Sequence, residues 1–250
     1  MFLGTIAFLL ILANIGVNLI KLFTEDRSFH GIIPMFELKS EKNIPTFFNG
    51  SLFLINAVFL VLVWYGRRAI SKMQHIWLFL AALFVFLAFD EQFQVHELLI
   101  EPLRQSLNTS GAFYFAWVIV YGGAVLALGA VFFPVWWQLD RTIKIWLFAA
   151  AAVFLLGAIG LEMVGGAYYE QEVVKGGIIY AAMYTTEESL ELAGLIIFTY
   201  SLLLLIGKTM GGMTLTIPGN ELVPLPVEVK QQTLAPSPSL VTDNLARNIA

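Results

Sequence analysis

Seven acidic side chains and one histidine stand inside, or at the rim of, stretches otherwise apolar enough to cross a lipid bilayer. Asp90, Glu91, His96 and Glu97 lie in LAFDEQFQVHELL, Glu162 in GLEMVGG, and Glu187, Glu188 and Glu191 in TTEESLELAG. An ionised carboxylate near a bilayer centre costs about 2.5–3.5 kcal/mol on insertion scales. Seven of them must be paired, protonated, hydrated or given a cation.

Three kinds of chemistry answer that requirement. Carboxylates with an imidazole bind divalent cations: iron, manganese and zinc accept mixed oxygen and nitrogen donors, and calcium takes oxygen alone. On this expectation Asp90, Glu91, His96, Glu97, Glu162, Glu187, Glu188 and Glu191 are metal ligands. A metal-dependent membrane enzyme would then activate water or oxygen at the outer leaflet. Alternatively, protons or cations on Asp90, Glu162 and Glu187 couple to substrate movement in a carrier. In a third reading, shared protons fasten the helices of a non-catalytic subunit or assembly factor of a membrane complex. A bundle-core di-metal site of the ferritin type needs Glu-x-x-His on two helices. The nearest elements here are DExxxxHE and EExxE, so only the ingredients are shared.

The rest of the composition narrows the cofactors. Hydrophobic residues make up 58% of the chain and charged residues 13%, against roughly 25% charged in soluble domains. Mean hydropathy is +0.79. With several apolar runs near span length, this is an all-α polytopic membrane protein surrounded by lipid. The net charge of −4 leaves no basic surface for nucleic acid. The absence of cysteine excludes disulfides, thiolate metal sites and iron–sulfur clusters. Three histidines are too few for a histidine-box oxygenase and do not supply the intramembrane pair of a bis-histidine haem. No lysine lies between Lys175 and Lys208 to hold retinal.

Six spans are expected to position these groups: about Phe2–Leu22, Thr46–Tyr65, Ile76–Leu99, Ala112–Trp137, Ile145–Ala167 and Ile178–Ile206. The first lacks a basic leader and a cleavage pattern, and reads as a retained helix. Arg67, Arg68, Lys72, Arg141, Lys144 and Lys208 fall in connections on one side, which the positive-inside bias makes cytoplasmic, along with both termini. Residues 1–208 form the six-helix bundle. Residues 209–250, rich in proline after Pro218, are expected to be a mostly disordered cytoplasmic tail. The connection Phe23–Pro45 is long: it is either a cap over the bundle or an ordinary exposed loop.

Helical period then sorts the acids. Asp90, Gln94, Glu97 and Glu101 recur at i, i+4, i+7 and i+11, which predicts one face of a helix running to Leu99. Glu91 and His96 fall to either side of it. Tyr180, Tyr184, Glu187, Glu191, Gly194 and Phe198 form a stripe in the last span, with Glu188 at its edge. The inward set is therefore Asp90, Glu97, Glu162, Glu187 and Glu191, with Glu91, His96 and Glu188 second. Gly165 and Gly166 invite close backbone approach, and YGGAVLALG from Tyr121 reads as a helix-packing face.

PMFELKSEKNIPTFF, FDEQFQVHE, LGAIGLEMVGG and TTEESLELAG, taken in order, resemble a family of uncharacterised bacterial six-helix membrane proteins. The likeness covers about residues 1–208. It implies six helices and a bacterial inner (cytoplasmic) membrane, and brings no activity, substrate or catalytic residue; some members carry a transporter-like label.

Overall fold

A computed structural model describes residues 1–24, 28–40, 42–70, 72–171 and 177–210. The chain divides into a unit of Met1–Met213 and a second of Thr214–Ala250. The expected disordered tail lies outside the described residues. The helices in chain order are α1 (Phe2–Thr24), α2 (Ile32–Phe36), α3 (Ile44–Arg67), α4 (Ile76–Phe93), α5 (Ile100–Leu107), α6 (Trp117–Trp137), α7 (Arg141–Leu155), α8 (Glu162–Gln171) and α9 (Ile178–Met210). Six helical stretches are long and apolar enough to cross a membrane: α1, α3, α6, α9, Lys72–Phe93 and Arg141–Gln171.

Asn43 caps α3, its side chain accepting from the Thr46 N–H at 3.0 Å, and Pro45 sits in the first turn, where its missing N–H costs nothing. Arg141–Gln171 is one span in three parts. Between α7 and α8 the segment Leu156–Leu161 is a π-helical turn. Such a turn carries an extra residue, which rotates everything after it by about 100°. Gly157 makes room for it: a Cβ there would lie 2.8 Å from the Glu187 carbonyl oxygen. Gly194 brings α9 onto α7 in the same way, with an added Cβ 2.6 Å from that of Phe154.

The core has two parts. Towards the end bearing Arg67 and Lys208, Leu60, Val63, Trp77, Leu80, Ile143, Leu147, Leu202 and Leu205 close a dry cluster between α3, α4, α7 and α9. Trp77 is fully buried, and its indole N–H shares Gln74 Oε1 with the Arg67 guanidinium, each at 3.0 Å. Towards the other end Leu52, Phe53, Ala88, Leu192 and Leu195 pack with Ala7 of α1. The outward faces are apolar: Leu126 is 77% exposed and Phe148 67%. This inverts the usual soluble surface and matches helices surrounded by hydrocarbon.

Three expectations are corrected. The third span does not stay helical to Leu99: α4 ends at Phe93, and Gln94 turns left-handed with φ 56°. Among the described residues the glycines of α6 are not a packing face, because a Cβ at Gly122, Gly123 or Gly129 would meet none of them within 4 Å. Gly166 does admit a close neighbour, with an added Cβ 3.1 Å from the Phe115 ring, whereas Gly165 does not.

The long connection after α1 is a cap. Ile33 and Leu38 are buried, and the Leu38 N–H donates to Asn14 Oδ1 of α1 at 2.9 Å. Glu37 accepts from Lys21 Nζ at 2.5 Å, from the Ser40 hydroxyl at 2.8 Å and from the Tyr184 hydroxyl at 3.4 Å.

Candidate functional site

Beneath the cap lies a chamber of about 350 Å³. All eight acidic and imidazole residues singled out in the sequence line it: Asp90, Glu91, His96, Glu97, Glu162, Glu187, Glu188 and Glu191. The division into an inward five and a second three does not hold. Its premise was a straight helix, and α4 stops too early for that. Past Phe93 the chain leaves the helical path at Gln94, so groups that an ideal helix would splay apart face one space.

The turn is held from inside the site. Asp90 Oδ1 accepts the His96 backbone N–H at 2.7 Å and approaches His96 Nδ1 at 3.2 Å. Tyr121 of α6 also lies close to Asp90. The His96 ring stacks near Trp117 at 4.9 Å and Tyr121 at 6.3 Å between centroids. Trp117 then passes the network to α8, its indole N–H donating to Glu162 Oε1 at 3.1 Å.

Glu162 faces Glu187 across the α8–α9 contact, close enough for each carboxyl to feel the other. Two bare carboxylates in that contact repel; a shared proton or an intervening cation joins them. The π-helical turn lets this happen, since it rotates Glu162 and brings the chain close to the Glu187 backbone. Deeper in, Glu91 accepts from Asn49 Nδ2 of α3 at 2.9 Å, and Glu191 is near enough to feel its charge. Among the described residues no Lys or Arg pairs with Glu91, Glu162, Glu187 or Glu191.

Aromatic groups form much of the remaining wall. Tyr169, Tyr180 and Tyr184 follow one another with centroids 5.5 and 5.9 Å apart. The Lys39 ammonium of the cap lies over the Tyr180 ring at 4.4 Å and the Tyr169 ring at 5.9 Å. Burial pushes the Lys39 amine below its ordinary pKa, and the Glu37 carboxylate pulls it back in part. Lys39 is itself exposed, so the chamber reaches the surface beside it. His30 is exposed on the cap and His75 packs by Trp64 at the far end; neither lines the chamber.

Several groups escaped the sequence reading. Asn14, Asn18, Asn49 and Asn56 are amides within apolar runs, at i, i+4 in α1 and i, i+7 in α3. That was the available signal: weighting charge alone passed over them. Lys39 carried no signal, because its place depends on how the cap folds.

The donor set suits hard cations, but its spacing does not form a closed metal site. Among the described residues no three His, Asp or Glu side chains are arranged to hold a metal ion. The expectation of a ready metal centre is not supported. Comparison with curated proteins and with solved structures gave no match. The family model for a domain of unknown function, DUF8692, matches residues 2–206, nearly the whole described bundle, and the chain belongs to that family.

Proposed function

We propose that this chain is an integral protein of a bacterial cytoplasmic membrane, and that its chamber takes up and releases protons or a small cation as part of a coupled carrier. The observation that carries this reading is the facing pair of carboxyls Glu162 and Glu187 on the wall of a chamber that reaches the surface. Such a pair changes occupancy, proton for cation, without moving the backbone far. Asp90, His96, Tyr121, Trp117 and Glu162 provide a chain of exchangeable or polar groups towards it. The clustering of Arg67, Arg68, Lys72, Arg141, Lys144 and Lys208 at the opposite end supports a cytoplasmic assignment for that end. The chamber then faces outward.

The test is proton release from the purified full chain. Weakly buffered protein is titrated with sodium, potassium, calcium or manganese salts while pH is followed. Release of about one proton per chain by one of these ions, abolished in the Glu162→Gln/Glu187→Gln double variant, is expected. No release with any ion, or equal release from the double variant, would count against the reading.

A divalent-metal reading keeps one supporting observation. A carboxylate that holds one ring nitrogen of a histidine, as Asp90 holds His96, is how metal-bound imidazoles are oriented. Iron, manganese, zinc or calcium in the chamber would draw Glu97 and Glu162 towards His96. Elemental analysis of the purified protein decides it: metal well below one atom per chain removes this reading.

A further inference from the structure

The chamber contains a clue to what it accepts. Among the described residues Lys39 is the one lysine or arginine on its wall, and it forms no ion pair there with any carboxylate. Its ammonium is held by ring faces instead, 4.4 Å from the centroid of Tyr180 and 5.9 Å from that of Tyr169. A cation within about 6 Å of an aromatic face is attracted by the ring quadrupole, and more strongly where water is excluded.

Behind that seat the wall is negative and aromatic together. Tyr180 is close enough to Glu162 and Glu187 to feel their charge. Trp117, Phe115 and Tyr184 continue the aromatic surface. An inorganic cation would use the carboxylate oxygens and the imidazole and leave the rings without a role. A neutral apolar molecule would leave the carboxyls unmet. An organic ammonium ion uses both. The volume of about 350 Å³ also lies in the range of small-ligand sites. Behind the wall, Asn49 is almost fully buried and gives its Nδ2 to Glu91, yet its Oδ1 has no partner among the described residues. The same carboxamide therefore brings an unmet acceptor to within a few ångströms of a chamber carboxyl.

We propose that the chamber binds a small organic ammonium ion on the faces of Tyr180 and Tyr169, in the seat now occupied by the Lys39 ammonium, with Glu162 and Glu187 supplying the countercharge. Lys39 is a tethered stand-in that competes with the ligand at the mouth. The proposal rests on the same chamber as the proton-exchange reading and names its ligand class.

Choline and its neutral isostere 3,3-dimethyl-1-butanol separate charge from shape. Both are titrated calorimetrically into the detergent-solubilised full chain, with pH followed in parallel. Choline binding that tightens about tenfold in Lys39→Gln is expected, because the competitor is gone. Tyr180→Leu in the Lys39→Gln background should lose at least that factor, and the alcohol should not bind. Lys39 is exposed on the cap, so its replacement leaves the bundle intact; a thermal scan of each variant checks this. Unchanged or weaker choline affinity in Lys39→Gln, or equal binding of the alcohol, overturns the proposal. Choline binding without proton release overturns the proton-coupled reading alone. Proton release by inorganic cations without choline binding overturns the ligand proposal alone.

Discussion

Asp90 holds the backbone of His96, six residues ahead of it, at 2.7 Å through the same Oδ1 that approaches the His96 ring at 3.2 Å. One carboxylate thus fastens the turn at the end of α4 and orients an imidazole. Gln94 at φ 56° is left-handed, a conformation that costs a non-glycine residue roughly 1–2 kcal/mol. The Asp90 contacts offset that cost.

Asp90→Ala should therefore lower unfolding free energy in detergent by about 1–3 kcal/mol, since the His96 N–H is left without its acceptor. Asp90→Asn keeps the Oδ1 acceptor and should lose less. His96→Ala, which retains the backbone bond, should also lose less than Asp90→Ala. Equal losses for Asp90→Ala and His96→Ala would mean that the ring contact, not the main chain, holds the turn.

The glycines divide sharply by what surrounds them. At Gly194 an added Cβ would lie 2.6–2.8 Å from the Cβ, N and Cα of Phe154, atoms that cannot swing away. Gly194→Ala should cost about 1–3 kcal/mol as overpacking. Gly157→Ala, pressed on the Glu187 carbonyl at 2.8 Å, should behave alike and also disturb the Glu162–Glu187 pair. Gly122→Ala and Gly129→Ala should stay within about 0.5 kcal/mol in the purified monomer. A large loss at Gly122 would reveal another helix seated on α6.

The cap should respond to acid. Burial tends to raise the pKa of Glu37, but hydrogen bonds from Lys21 and Ser40 and the charges of Lys21 and Lys39 outweigh it, leaving the carboxyl below its ordinary 4.5. A carboxyl lowered in the folded state contributes stability that is present above its unfolded pKa and is lost as pH falls through the folded one. Between neutral pH and about 5 the unfolding midpoint should be insensitive to Glu37. Below 4.5 it should fall more steeply in the wild type than in Glu37→Gln. Parallel pH profiles for the two proteins would remove Glu37 as an anchor of the cap.

The six spans and the eight chamber residues were legible because polar groups in apolar runs are costly and therefore conspicuous. Their grouping was not, for three physical reasons. Gln94 is neither glycine nor proline, so nothing local marks the end of α4; the stop comes from Asp90 capturing an N–H beyond the helix. The π-helical turn before Glu162 has no signature apart from Gly157 and Gly160, and its effect appears only against α9. The position of Lys39 depends on Asn14, Lys21 and Tyr184, which lie on other helices and hold the cap by contacts remote in sequence.

The buried amide pair below the chamber gives the last prediction. Thr199 Oγ1 of α9 donates to Asn56 Oδ1 of α3 at 2.9 Å, and Asn56 Nδ2 donates to the Leu195 carbonyl at 3.3 Å. Both residues are buried between the two central helices. Interhelical hydrogen bonds within membranes average about 0.6 kcal/mol and reach about 1.7 kcal/mol in double-mutant cycles, because unfolded spans also find partners. The Thr199 hydroxyl lies 2.9 Å from its own Leu195 carbonyl as well, so its proton is shared between two acceptors. A value near the lower figure is the consequence. Thr199→Val and Asn56→Leu, singly and together, measure the coupling as the shortfall from additivity. A coupling of about 0.6 kcal/mol, with Asn56→Leu costing more than Thr199→Val, is the expected outcome. Asn56 makes two hydrogen bonds across to α9, whereas Thr199 makes one across to α3. Additive losses would mean that α3 and α9 are held by the packing of Leu52, Leu192 and Leu195 alone, with the amide a bystander.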